Sequence, residues 1–309
     1  MKNSTPIKPP RSKRSAAPLI AGGWLLALLL FSAVAAGPAW SEESRGDLIE
    51  RGQYIFSLAG GCACHTAPHG TPNVGARAFP LPMAKLYSTN LTSDKNTGLG
   101  NWSDRQLRDA LTRGIRPDGA KLLPVMPYEA YSGMAEEDLG ALIAYLRTLK
   151  ALPQPTPVLQ TWAPFYRAGS TFVWSQFFSH FSHSPAQSPE TGVERGRYLV
   201  ENVALCVDCH TPRNFMGVPE RSRYLAGAKT GPLGEVPNIT PDKETGIGAW
   251  SRNDIADLLL TGTKPDLDNV QGLMSEVVEA GYKRMKREDA LAIADYLKSI
   301  PPIKNKIGD

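Results

Sequence analysis

Apolar residues recur at helical spacing in separate stretches of the chain, divided by segments rich in glycine and proline. The pattern predicts a helix over residues 48–59. It predicts a second beginning at Ser103, whose hydroxyl suits an N-cap and which is followed by Leu107, Ala110 and Leu111 on one face. A third is predicted over 136–149, where Leu139, Leu142, Ile143 and Leu146 form the stripe. Acidic residues open that stretch, and Arg147 and Lys150 close it, the order a helix dipole favours. The same succession returns over 251–260 and 288–300.

The return is a repeat of residues as well as of pattern. Glu50-Arg51-Gly52-Gln53-Tyr54 matches Glu194-Arg195-Gly196-Arg197-Tyr198, and Cys64-His65-Thr66 matches Cys209-His210-Thr211. Asn90-Leu91-Thr92-Ser93-Asp94-Lys95 through Gly98, Gly100 and Trp102 matches Asn238-Ile239-Thr240-Pro241-Asp242-Lys243 through Gly246, Gly248 and Trp250. Pro117-Asp118 matches Pro265-Asp266, and Tyr145-Leu146 matches Tyr296-Leu297. The expected organisation is two tandem, all-α domains over 42–152 and 191–303, a linker over 153–190 and a tail over 304–309. The linker gathers Trp162, Phe165, Tyr166, Phe172, Trp174, Phe177, Phe178 and Phe181 before a polar piece at 182–189. These rings are expected first to cover the seam between the domains, and after that to dock a partner protein or touch a membrane surface. His180 and His183 read as ordinary polar residues unless an iron lacks a ligand.

Residues 1–41 stand apart. Lys2, Lys8, Arg11, Lys13 and Arg14 precede an uncharged stretch centred on Leu25 to Phe31, and Pro38 and Ala39-Trp40-Ser41 end it. This is the layout of a cleaved secretory signal, with an uncleaved membrane anchor as the alternative; either reading exports the body. The basic residues of the leader exceed the whole net charge of +4, so the body is slightly acidic. Nothing in it offers the basic surface that nucleic acid requires.

The chain has four cysteines, Cys62, Cys64, Cys206 and Cys209, all close to a histidine. Cys206-Val207-Asp208-Cys209-His210 is a C-x-x-C-H motif, the pattern of c-type haem attachment. Two thiols about a helical turn apart can bond the two vinyl groups of one porphyrin, and the adjacent imidazole then lies against the iron. Zinc would want four ligands in paired motifs, and a redox-active dithiol would not explain a histidine at the same place in both copies. The first motif, Cys62-Ala63-Cys64-His65, has one residue between its cysteines where the second has two. A haem is still expected there through Cys64 and His65, with the Cys62 thioether strained or absent.

A second axial ligand for each iron is sought downstream. Met126 lies eight residues beyond Asp118, and Met274 eight beyond Asp266, both expected in loops. A thioether at each would close both irons and raise their potentials. The rival pair, Met134 and Met285, precedes the last helix of each half and suits core packing better. Trp102 and Trp250 are expected either as core aromatics or as indole N–H donors to haem propionates.

Cys206 to His210 followed by Thr211-Pro212-Arg213-Asn214, the two Asn-x-Thr-x-Asp-Lys loops, Met126-Pro127-Tyr128, Ala144-Tyr145-Leu146 and Asp295-Tyr296-Leu297-Lys298-Ser299 carry a resemblance. The chain resembles the cytochrome c subunits of membrane-bound bacterial dehydrogenases acting on alcohols, aldehydes and gluconate. The resemblance implies class I cytochrome c domains, covalent haem c, here two from the two motifs, and electron transfer from a dehydrogenase catalytic subunit towards a quinone or a terminal-oxidase-side acceptor. With the leader, the expected location is the periplasm, or the inner membrane facing the periplasm. Two features depart from it: two haem motifs rather than three, and the shortened first motif. The competing expectation is a dihaem enzyme of the thiosulfate dehydrogenase or peroxidase kind, which Cys62 or an open iron position would favour.

Overall fold

Glycine at position 52 decides how the first long helix meets its partner. The computed structural model of the protein describes residues 44–307, apart from 62, 82, 178, 181–183, 186, 215 and 230–233. Helix α1 (Arg45–Leu58) packs along α4 (Glu136–Leu146). A Cβ on Gly52 would lie 1.9 Å from the Ala141 carbonyl oxygen, so only glycine lets the backbones cross this closely. In the second half α6 (Gly192–Tyr198) packs along α10 (Arg287–Ser299), and a Cβ on Gly196 would lie 1.9 Å from the Ala292 oxygen. The repeated Arg-Gly pair is therefore a helix-crossing device. The arginine before each glycine turns onto the same C-terminal helix. Arg51 Nε donates to Asp138 at 2.8 Å, and Arg195 binds Asp289 through Nε and Nη2, both at 2.9 Å.

The helices opening at Ser103 and Ser251 are α2 (Asp104–Arg113) and α8 (Arg252–Thr261), each with a complete capping box. The remaining helices are α3 (Tyr128–Tyr131), α5 (Tyr166–Phe177), α7 (Cys206–His210) and α9 (Gly272–Ala280). Helix α4 ends at Leu146 rather than at 149. There the chain tightens into a turn, and the Leu149 carbonyl accepts from the Ser93 amide and hydroxyl of the loop below it.

The protein is mostly helical, but not purely α. Strands β1 (Ala78–Leu81), β2 (Ala84–Tyr87) and β3 (Gln160–Thr161) form a small antiparallel sheet in that order, with Ala78 opposite Tyr87 and Ala84 opposite Thr161. Strands β4 (Ala228–Lys229) and β5 (Glu235–Val236) pair at the corresponding place in the second half. Such short strands, broken by proline, leave no period of two in the sequence.

Helix α5 occupies the aromatic linker, where no helix was expected. Trp174 on it is buried, and its indole donates to Glu129 at 2.5 Å, whereas Trp162, Phe165, Phe172 and Phe177 are exposed. Of the linker rings, Trp174 therefore packs inward and those four face solvent. Phe178, Phe181 and His183 lie outside the described residues.

One apolar cluster runs through both halves, joining Ile55, Leu58, Leu139 and Leu142 to Leu199, Val200, Val203 and Ile293. Among the described residues no helix is long and apolar enough to cross a membrane. The leader expected over 1–41 falls outside them.

Candidate functional site

Helix α7 is a single short turn that carries Cys206, Cys209 and His210, entered through Leu205 in the left-handed region at φ 58°. In the first half a 3-10 turn, Ala63–His65, does the same work. The two imidazoles are held identically. His65 Nδ1 lies 2.8 Å from the Thr89 carbonyl oxygen, and His210 Nδ1 lies 2.8 Å from that of Pro237. A carbonyl can only accept, so each Nδ1 carries the proton and each Nε2 keeps its lone pair for a metal.

A glycine makes this approach feasible in both halves. Gly75 at φ 78° and Gly227 at φ 85° donate their amides to the His65 and His210 carbonyls, each at 2.7 Å. A Cβ on Gly75 would meet the Thr89 carbonyl carbon at 2.5 Å, and one on Gly227 the Asn238 nitrogen at 2.6 Å. The next residue in each half locks the loop. The amides of Asn90 and Asn238 accept from the Thr92 and Thr240 backbones and donate to Leu152 and Ile303 carbonyls. The repeated Asn-x-Thr-x-Asp segment is thus a scaffold that aims a carbonyl at the histidine. Burial pulls both imidazoles below the ordinary histidine pKa, against the carbonyl bonds that raise it, which keeps them neutral and ready to ligate.

Neither Cys206 nor Cys209 is in a disulfide. Desolvation by burial, helped by the neighbouring Cys209, pushes the Cys206 thiol up to about 12. Desolvation and Asp208 push Cys209 to about 11, although Cys209 still reaches the surface. A redox dithiol needs the opposite shift, towards thiolate. Among the described residues no group of three or more His, Cys, Asp or Glu side chains could hold a metal ion of the zinc kind. An imidazole with a committed Nδ1, next to two cysteines that are in no disulfide, fits covalent haem instead. Cys62 lies outside the described residues.

The methionine pairs separate by burial. Met134 and Met285 are fully or almost fully enclosed in the core, at 0% and 5% exposure. Met126 and Met274 are only partly buried and pack against the edge of the cluster. Met126 is in the loop before α3, as expected, but Met274 stands in the first turn of α9 rather than in a loop. The second half has three more residues between this methionine and the core one, and they wind into helix. Trp102 and Trp250 are half-buried at the core edge, and their carbonyls are tied to the C-terminal helices of the two halves by Arg147 and Lys298.

Two residues without an assigned role in the sequence stand at the centre. Tyr131 and Tyr282 are buried, and the Tyr282 hydroxyl donates to the Ala204 carbonyl at 2.7 Å. Burial drives both phenols well above the ordinary tyrosine value, with Cys64 and Asp208 acting on Tyr131, and Cys206, Cys209, Tyr131 and Cys64 acting on Tyr282. Both rings are thus close enough to the cysteine motifs to feel their charge. The signal was present in the repeat, since each tyrosine stands three residues before Met134 or Met285.

No protein-family model matches the chain. It is 40% identical over 258 residues to the fructose dehydrogenase cytochrome subunit of Gluconobacter japonicus, a match covering 82% of this chain and 52% of that subunit. It is 33% identical over 296 residues to the cytochrome c subunit of the quinone alcohol dehydrogenase of Gluconobacter oxydans, covering 91% of this chain and 61% of the relative. A diheme cytochrome c-type protein of Cereibacter sphaeroides is 34% identical over 261 residues, covering 82% of this chain and 86% of the relative. The chain therefore spans little more than half the length of those two dehydrogenase subunits and most of the diheme protein. Twin histidines, each committed at Nδ1 behind a cysteine, and relatives of this kind along most of its length lead to one conclusion: the chain belongs to the c-type cytochromes, the family of the fructose, alcohol and gluconate dehydrogenase cytochrome subunits and of a diheme cytochrome c.

Proposed function

We propose that the protein is a dihaem electron carrier, two tandem cytochrome c domains that accept electrons from a dehydrogenase catalytic subunit and pass them towards a quinone or oxidase-side acceptor of the respiratory chain. The observation that supports it most is the matched pair of imidazoles, each fixed through Nδ1 at 2.8 Å to a carbonyl of its own loop. An ordinary polar histidine has no reason to be held this way twice. The family and the names of its members support a dehydrogenase as partner, and the basic, then apolar leader supports the periplasmic face of the inner membrane.

In this reading Nε2 of His65 and of His210 would bind the irons. Cys206 and Cys209 would form thioethers to one haem, and Cys64, with Cys62 strained or absent, to the other. Met126 and Met274 would close the opposite faces, and the Trp102 and Trp250 indoles would meet propionates. The haem iron supplies reversible one-electron chemistry when bound. The chain's own residues do the rest. The Thr89 and Pro237 carbonyls hold the Nδ1 protons and so set imidazole orientation and basicity. Tyr131 and Tyr282 would pack as buried rings beside the motifs, with the Tyr282 hydroxyl satisfied by the Ala204 carbonyl.

A pyridine haemochrome titration with whole-protein and peptide mass spectrometry, on protein matured in a host able to attach haem, tests this. Two haems per chain, one on each cysteine peptide, are expected. A colourless product or an unmodified 62–65 peptide defeats the dihaem reading.

A further inference from the structure

The shortened cysteine motif has lost the position that, in the second half, is used to brace it. There Asp208, between Cys206 and Cys209, is gripped by Arg213 Nη2 at 2.7 Å, while Arg213 Nη1 donates to the Gly217 carbonyl at 3.0 Å. The first motif has only Ala63 between its cysteines, and Pro68 stands where Arg213 would be. Neither half of that clamp can form.

Another arginine is aimed at the same place. Arg77 Nη1 lies 3.1 Å from the Ala63 carbonyl oxygen and 3.2 Å from that of Thr66. These two carbonyls bracket Cys64 and His65. The guanidinium is anchored from the far side by Glu276 of α9, with Nη1 at 2.5 Å from Oε2 and Nη2 at 2.9 Å from Oε1. Nη1 has two hydrogens for three acceptors, so one is shared, and the planar fork spans loop and carboxylate at once in a way an ammonium could not. The Arg77 side chain is 13% exposed against 44% for Glu276, so the arginine is the enclosed member of the pair. Its counterpart in the second half, Lys229, is exposed at the end of β4.

We propose that Arg77, anchored by Glu276, is the positioning residue of the first haem motif and replaces the brace that the contracted Cys62-Ala63-Cys64-His65 loop lacks. The inference rests on the dihaem reading. Attachment adds the Cys64 S–H across a vinyl double bond: sulfur bonds one vinyl carbon, the hydrogen goes to the other, and no oxidant is consumed. The addition requires the thiol and the His65 imidazole to be presented to one porphyrin together, and the pair of bonds to the flanking carbonyls fixes that presentation. Because Glu276 lies two residues beyond Met274 on α9, the clamp also joins the first motif to the helix carrying the second site's distal candidate.

The test compares wild type, Arg77→Ala and Arg77→Lys. The readouts are haem occupancy of each cysteine peptide and the potential of each haem. Expected is an at least fivefold fall in occupancy of the first peptide in Arg77→Ala, with the second peptide fully modified, which certifies that the chain was exported and folded. Arg77→Lys should fall between. Full occupancy with an unchanged first-haem potential in Arg77→Ala overturns the proposal, as does equal loss from both peptides. An unmodified first peptide in wild type is a different result: it refutes the dihaem reading, and this inference falls with it.

Discussion

The Tyr54 hydroxyl donates to Asp289 Oδ2 at 2.7 Å across 235 residues of sequence, and the matched Tyr198 hydroxyl donates to Asp138 Oδ2 at 2.7 Å. Each tyrosine thus leaves its own half and binds the aspartate at the start of the other half's last helix. That aspartate is already held by an arginine of its own half, Arg195 for Asp289 and Arg51 for Asp138. The hydroxyls also accept, Tyr54 from the Lys286 amide at 3.1 Å and Tyr198 from the Ala135 amide at 3.0 Å. Two Arg–Asp–Tyr clasps therefore sew the halves together by exchange.

Removing one member should cost according to what is left behind. Asp289→Ala strands the enclosed Arg195 guanidinium and is expected to lower unfolding stability by about 3–5 kcal/mol. Tyr198→Phe removes the hydrogen bond to charged Asp138 and the one accepted from the buried Ala135 amide, and is expected to cost about 1.5–3 kcal/mol. Denaturant titration of the holo-protein measures both, and equal losses would show that the charge is not the dominant part.

The same clasp predicts an acid response. Burial lifts the Asp289 pKa, but the hydrogen bonds and charge of Arg195, with Tyr54 and Lys286, outweigh it and hold the carboxyl below its ordinary value. The unfolded chain, with a value of about 3.9, takes up the proton first, so the stabilisation is complete above about pH 5 and disappears as pH falls through the folded value. Denaturation midpoints should fall more gently between pH 5 and pH 3 in Asp289→Asn than in wild type. Parallel curves would contradict this.

At the helix crossings, Gly52→Ala and Gly196→Ala each place a methyl 1.9 Å from a carbonyl oxygen of the partner helix. No side chain can yield there, so the helices must part, at a cost of about 3 kcal/mol or more. Gly140→Ala at a half-buried position on α4 meets nothing within 4 Å and should be neutral or slightly stabilising. Thermal melts of the three variants give the comparison.

The two methionine pairs should part cleanly. Met126→His and Met274→His are expected each to lower one haem potential strongly, since a second nitrogen ligand replaces a thioether. Met134→Ala should leave the potentials near their wild-type values and instead cost about 2–5 kcal/mol of stability, because its side chain is fully enclosed. Spectroelectrochemical titration with parallel melts reads both. A potential drop in Met134→Ala matching that of Met126→His would reverse the two roles.

The sequence by itself determined the parts that depend on local spacing. Helical stripes, the caps at Ser103 and Ser251, the doubled Glu-Arg-Gly-x-Tyr and Asn-x-Thr-x-Asp segments and the cysteine–histidine junctions are all written along a few residues of chain, where periodicity and hydrogen-bond reach leave few alternatives. It could not say why Gly52 is glycine, since the oxygen that forbids a side chain there belongs to Ala141. Nor could it show that Tyr54 serves Asp289 rather than its own half, that Trp174 turns inward while Phe172 faces solvent, or that Arg77 reaches back to Ala63. Those are contacts between residues far apart in the chain. Only the three-dimensional packing decides them, because the free energy of a buried hydrogen bond or a close crossing depends on which partner arrives, and sequence distance carries no record of that.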